Sequence, residues 1–493
     1  MPNHSPFRTS LALTAGLALA TLSACSSDDD KAVEIAVIGD TGAPFVTSGR
    51  LPYAAELVRA ATVEGLVALD EQGRVIPAVA DRWIVTDDGM SYIFRLRDGT
   101  WPDGSPISGE TARTALLQAI GALKGRPFGD DLAVIDEVRA MAGRVVEIRL
   151  KEQSPDFLQL LAQPELGLAW RGRGAGPMQL TRKKGVALLT PIAPEDRGLP
   201  QQENWKERRR KLRLVALPAQ QAIERFNSGE ANMVLGGQFQ DFPRLDASGV
   251  ARGAIRLDPV SGLFGLAVTH GDGFFDLPEN REALAMAIDR DALSNVLGVG
   301  GWVQTTRITN PGSSDDNGSV GERWATRSLT ERRSEAAARV SRWKAAHKLA
   351  AIRIALPAGP GADALFRHLQ TDYAAIGLEV QRVGLNAEAD LRLIDKVARY
   401  ARIGWYLNQL SCDNAPPACS PAADRLAAQA LAEPDPAKRL DLYAQAEAQL
   451  TMANGYIPFG APIRWSIVSG NATGFLPNRR GLHPLMPMAM RPK

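Results

Sequence analysis

Cysteine is scarce: three in 493 residues, too few for a disulfide scaffold or an iron–sulfur cluster. Charge of one sign is missing too, since 57 basic against 55 acidic side chains leave a net +2, so no global field attracts nucleic acid. The body of the chain has no apolar run of the roughly 18 residues that a membrane span needs. Its five histidines (His4, His270, His347, His368, His483) show no metal-ligand spacing and no H-E-x-x-H, so no metal is expected. There is no G-x-x-x-x-G-K-[ST], and Gly172-x-Gly174-x-Gly176 lacks the strand–helix setting of a dinucleotide fingerprint. Nor is there a G-x-S-x-G elbow or a visible nucleophile–base set. An enzyme and a bound cofactor are therefore not expected. What is present is ordinary for a packed globular chain: 45% apolar and 23% charged residues, with a length that suits about two or three domains.

The first residues read as an address. Arg8 precedes the apolar run Thr9 to Leu22, which suits the h-region of a secretory signal. Leu22-Ser23-Ala24-Cys25 looks like a bacterial lipobox, which implies a lipid on the thiol of Cys25. Residues 1–24 are then a lipoprotein signal peptide, and 25–32 a polar tether unable to bury surface. Exported, the chain keeps two thiols, Cys412 and Cys419, seven apart across the turn-prone Asn414-Ala415-Pro416-Pro417. In an oxidising compartment they are expected to form a disulfide.

Along the body, Val33 to Ile38 reads as a buried strand and Leu51 to Ala68 as a helix. Trp83 to Leu96 reads as a hairpin around Asp88-Gly89, and Ser108 caps a helix to about Leu123. Residues 279–297 read as one helix closed by Gly298, and 309–330 as a surface loop. Helices at 331–347 and 362–376 alternate with strands Ile352–Leu356 and Leu378–Val383, a βαβ-type unit. Asp435-Pro436 opens a helix that buries Tyr443, Ala446 and Leu450. This mixed α/β order builds more easily as lobes than as one sheet. Lys206-Glu207-Arg208-Arg209-Arg210-Lys211 is the densest basic run, either a solvated face or a docking patch for membrane or permease.

Several segments carry a resemblance. Glu64-Gly65-Leu66-Val67, Gly73 to Trp83, Asp87 to Gly99 and Pro102-Asp103-Gly104-Ser105-Pro106-Ile107 form a long gapless signature. Gly174-Ala175-Gly176-Pro177, Phe226 to Asn232, Arg281 to Arg290, and Asp435 to Arg439 through Tyr456-Ile457-Pro458-Phe459 follow in order. Together they resemble the dipeptide/oligopeptide solute-binding proteins of ATP-binding cassette importers (family 5). The resemblance implies two hinged lobes closing on a ligand, permease and ATPase subunits as partners, a monomer, and a place on the periplasmic side of the envelope. It implies lobe I from 33–48, 161–262 and 466–493, an appended subdomain at 49–160, and lobe II at 263–465. A variant reading keeps the fold but not the transport. Ser26 after the lipidated cysteine favours outer-membrane sorting, and the chain then acts in envelope interaction or assembly.

Peptide-binding relatives pair an Asp of a lobe II strand with the peptide ammonium. Aligned on Asp390 to Lys396, this chain has Lys396 at the family's Trp position and Arg399 at the Asp position; aligned on Gly404-Trp405, it has Asn408 at the Asp position. Either way the acid is absent, and an Arg there would favour an anionic or neutral ligand. Asp395 is either a substitute acid or a structurally paired carboxylate. Thr41 and Gly42 either offer backbone groups to a ligand or simply connect. Phe264, Trp405 and Trp302 either line the cleft or belong to the core.

Overall fold

The computed structural model describes residues 32–492 except 311–315, 317, 401, 416 and 418. The leader, Cys25 and the tether up to Lys31 lie outside the described residues. Three sheets organise the rest. The first has seven strands in the order Met178–Lys183, Val186–Pro191, Leu212–Leu217, Val33–Ile38, Met233–Gln238, Arg464–Val468, Ile255–Leu257. Val33–Ile38 sits near its centre and runs parallel to both neighbours, which is why its residues are buried on both faces. The second sheet orders Val380–Gly384, Ile352–Leu356, Leu391–Val397, Gly262–Val268, Tyr456–Gly460. Its βαβ unit is Ile352–Leu356, helix Pro360–Ala374, Val380–Gly384, paired in parallel. The third is a four-stranded antiparallel sheet, Ala80–Val85, Ser91–Leu96, Val145–Leu150, Ile135–Met141. The first and second sheets anchor two lobes, and the third packs with the first in one hydrophobic core.

The chain passes between the lobes at 257–262 and at 460–464. These two segments run side by side, with the Asp258 amide donating to the Arg464 carbonyl at 3.0 Å. Gly262 has φ +152°, and a Cβ there would lie 2.0 Å from the Lys396 carbonyl oxygen, so only glycine fits this corner.

The signature segments prove to be structural. Glu64 and Arg97 are buried and paired at 3.1 Å, and Arg197 closes on Glu64 at 2.7 Å. Arg97 also donates to the carbonyls of Arg197 and Ala175. Thr86 to Ser91 makes the tight turn, with the Asp88 carboxylate accepting from Thr86 Oγ1 at 2.6 Å and from the Met90 amide at 2.9 Å. The helix expected from 51 to 68 spans only Tyr53–Thr62. The 174–176 turn docks on its end: the Gly176 amide donates to Thr62 O at 3.1 Å, and a Cβ on Gly176 would meet Thr62 C at 2.5 Å. Residues 67–69 are instead a strand paired with Val75–Pro77.

The helix expected at 279–297 is broken into Pro278–Ala287 and Leu293–Leu297. Ile288 is extended, and Asp289 accepts from the Ala292 amide at 3.3 Å to start the second piece. Arg290, buried at the break, donates back to Ala285 O and to Pro458 O across the sheet. The described residues of 309–328 form a mostly exposed loop as expected, but it is anchored at three points. Thr309, Asn310 and Trp324 are buried, and Thr309 Oγ1 donates to the buried Glu447 at 2.7 Å. Ser328 opens the next helix, Leu329–Ala346, with a capping box to Glu331. Much of the 206–211 run clasps the C-terminal segment: Arg210 donates to Met488 O and Met490 O, and Arg208 to Arg491 O. Cys412 and Cys419 are disulfide-bonded, with Cα atoms 4.9 Å apart. Among the described residues, no helix is long and apolar enough to cross a membrane.

Candidate functional site

A cavity of about 940 Å³ lies between the lobes, floored by the crossover segments. Arg50 to Glu56 and Gln163 to Glu165 line it from one side, and Asp395 to Arg399 with Trp405 from the other. Asp258, Arg464, Trp465 and His483 form the floor. Trp465 is seated by its Nε1 donating to Gln238 O at 2.8 Å, and by Gly237, where a Cβ would strike the indole.

Of the sequence candidates, Asp395, Arg399 and Trp405 come together at this cavity. Asp395 sits on the strand Leu391–Val397 and pairs with Arg464 at 2.8 Å, although neither carboxylate oxygen receives an in-line hydrogen bond. Burial pushes its carboxyl up and Arg464 pulls it back. Arg399 reaches across the cleft instead of into it. Its Nη2 donates to Glu165 at 2.7 Å, and its guanidinium lies 4.2 Å over the Phe128 ring. Trp405 presents only an edge, being 2% exposed and packed against Tyr406 at 5.0 Å.

The other four candidates lie elsewhere. Phe264 is wholly buried in the second lobe's core, edge-on to Phe239, Phe459 and Trp302. Trp302 donates to Ala461 O at 2.7 Å beside Gly460. Thr41 and Gly42 are exposed in the turn that leads into Ala43–Phe45, away from the cavity.

Asn408 and Tyr400 extend the contact that Arg399 begins. Asn408 Nδ2 donates to Asp131 Oδ1 at 2.6 Å and to Pro127 O at 2.9 Å, and Tyr400 OH donates to Asp131 Oδ1 at 2.9 Å. Arg402 pairs with Asp156. Burial pushes the Asp131 carboxyl up to about 6, against the pull of Asn408 and Tyr400. Arg399, Tyr400, Arg402 and Asn408 thus latch the second lobe to the chain around Asp131, Asp156 and Glu165 across the cavity.

Two charged residues in the cavity were not among the sequence candidates. The Glu56 side chain, on helix Tyr53–Thr62, has no hydrogen bond or ion pair among the described residues, and it lines the cavity. Burial, then the Glu165 carboxylate, push it up to about 7, against Arg399, Arg50 and Arg464. The signal was there: an acid inside the apolar run Tyr53-Ala54-Ala55-Glu56-Leu57-Val58. The other is Lys396, noticed in the alignment but not chosen. Its Nζ donates to Gln409 Oε1 at 3.2 Å; burial, then Arg50 and Arg399, push its ammonium down.

The family model for bacterial extracellular solute-binding proteins, family 5, middle region, matches residues 74–187. The periplasmic oligopeptide-binding protein OppA of Salmonella typhimurium is 24% identical over 463 residues, 80% of each chain. Residues 74–187 match the family 5 model, and the whole chain is similar to members of that family. A second family member, the probable deoxycholate-binding periplasmic protein YgiS of Escherichia coli, is 34% identical over 121 residues, which is 21% of this chain and 23% of that protein. Among solved structures, Haemophilus influenzae OppA in complex with RPPGFSPFR superimposes with a TM-score of 0.79 at 17% identity, covering 94% of this chain and 99% of that one. That likeness establishes the two-lobed family 5 fold. Both curated relatives are named as binding proteins.

Proposed function

We propose that this chain captures a peptide-like or other small polar solute between its lobes and delivers it to the permease of an ATP-binding cassette importer. The observation that carries this reading is the cavity of about 940 Å³ at the lobe crossover, lined by apolar surface together with several charged side chains, near the upper end of the roughly 300–1,000 Å³ usual for ligand sites. Asp395, Arg399 and Trp405 act there at different removes. Trp405 bounds the cavity, Asp395 fixes Arg464 at the hinge, and Arg399 holds the lobes together through Glu165. Cys25 is the proposed lipid attachment, tethering a monomer to the periplasmic face of the envelope.

The test is to strip the mature protein of co-purified solute and record its melting temperature against peptide, amino-acid and organic-acid panels. Binding to the folded state alone raises the midpoint by mass action. A rise with one chemical class supports capture; no rise with any panel rejects it. Native mass spectrometry of the unstripped protein names the solute. Lipid labelling that persists in Cys25→Ala would reject the anchor.

A further inference from the structure

We infer that the cleft selects a solute bearing an anionic group, bound at Lys396 and Arg50, and discriminates against cationic solutes. This rests on the cavity being the solute site, and it assigns that site's charge preference to particular residues.

The charged side chains around the cavity divide into those already satisfied and those left over. Glu165 is matched by Arg399 at 2.7 Å and Asp395 by Arg464 at 2.8 Å, while the Asp258 carboxylate is hydrogen-bonded to His483 Nε2 at 3.1 Å and to the Asn478 amide at 2.9 Å. Arg126 donates to Gly49 O at 2.8 Å, and Arg480 to Gln159. These two guanidiniums, like Lys396, have neutral acceptors only; the other charged side chains of the cavity are Lys396, Arg50 and Glu56. The Lys396 ammonium has one neutral acceptor, the Gln409 amide oxygen at 3.2 Å. The charged groups acting on it are guanidiniums, Arg50 and Arg399, and no carboxylate offsets them. Arg50 has no hydrogen bond or ion pair among the described residues, and it lines the same cavity.

An ammonium withdrawn from water without a counter-ion is costly, and the cost is relieved when an anion enters. A carboxylate, sulfonate or phosphate would supply that counter-ion, and Arg50 can add a forked pair of donors. Glu56 does not oppose this. It faces Glu165, Arg50, Arg399 and Arg464, and its carboxyl, pushed up to about 7, is substantially protonated near neutral pH. In that form it donates a hydrogen bond rather than repelling an anion. A cationic solute would find every other carboxylate already paired.

The reading differs from what position 399 alone suggests. Arg399 stands where the family's ammonium-binding acid is expected, but Glu165 neutralises it, and the selecting charge falls to Lys396, three residues earlier.

The test uses the stripped mature protein and calorimetric titration with three tripeptides that differ in one side chain (Glu, Ala, Lys), together with a dicarboxylic acid. The Glu peptide or the diacid is expected to bind at least about tenfold tighter than the Lys peptide, a preference that weakens as ionic strength rises. In Lys396→Met the preference for the Glu peptide over the Lys peptide should fall severalfold. Should that variant fold poorly, Lys396→Gln and Arg50→Gln read the same ratio. If the Lys peptide binds as well as or better than the acidic ligands, or the ratio survives in all three variants, the charge assignment is wrong while solute capture stands. If no ligand of any charge binds, capture itself fails, and this inference with it.

Discussion

Single side chains set both the chemistry of the cleft and much of the stability. Glu56 titrates near 7 in the folded chain against an ordinary value of 4.5. Between those values the folded chain holds the proton and the unfolded chain does not. Stability therefore falls as pH rises through that window, and the loss is complete above it. Glu56→Gln is expected to raise the melting temperature of the stripped protein above pH 7, by an amount worth at most about 2–3 kcal/mol, and to change little below pH 4.5. Melting curves of the two proteins that stay parallel across pH would contradict this. Glu64 makes the opposite case. Its carboxylate serves two guanidiniums, Arg97 and Arg197, and Arg97 is only 2% exposed. Glu64→Gln leaves buried positive charge uncompensated and should cost about 3 kcal/mol or more, read as a fall in the denaturant midpoint. An unchanged midpoint would mean that water reaches Arg97.

At the scale of elements, the main feature is the latch between residues 399–408 of the second lobe and the chain around Asp131, Asp156 and Glu165. Arg399 and Glu165 are partly exposed, so the pair is worth about 1 kcal/mol. Glu165→Gln should shift the lobes toward the open state and weaken solute binding by roughly fivefold, with a larger radius of gyration in scattering from the unliganded protein. Equal radii in the two proteins would show that the latch does not govern closure. The disulfide closes a short loop next to this latch. Losing it in Cys412→Ser with Cys419→Ser should cost about 2.5 kcal/mol by loop-entropy reasoning, seen as a lower melting temperature. A melting temperature equal to that of the parent would place the loop outside the cooperative unit.

Elements with strong local signals were legible in the sequence. Val33–Ile38 and Ile352–Leu356 fall where their apolar runs put them, and Ser108, Ser328 and Asp435 stand at or just before helix starts because their oxygens cap free amides. The single helix expected at 279–297 failed because its periodicity continues through a break made by distant partners. Asp289 O accepts from His368, and the Asp289 amide donates to Asp372. No local pattern carries that information.

On the scale of the whole molecule, two lobes meet at adjacent crossovers and flank one cavity, and the charges inside it come from stretches far apart in sequence. The resemblance at 64–107 pointed to the right family, yet those residues build the subdomain and its buried ion network rather than the ligand surface. By itself, the sequence determined the family, the mixed α/β lobes and the cysteine pair, because strand runs, turn glycines and helix caps act over a few residues. Only the tertiary structure decided which charges are spent and which are left. Arg399 meets Glu165 across 234 residues of chain, Arg464 meets Asp395 across 69, Lys396 meets no carboxylate, and Glu56 lies near guanidiniums without forming an ion pair among the described residues. Pairing depends on distance in space and on exclusion of water, and neither can be read from order along the chain.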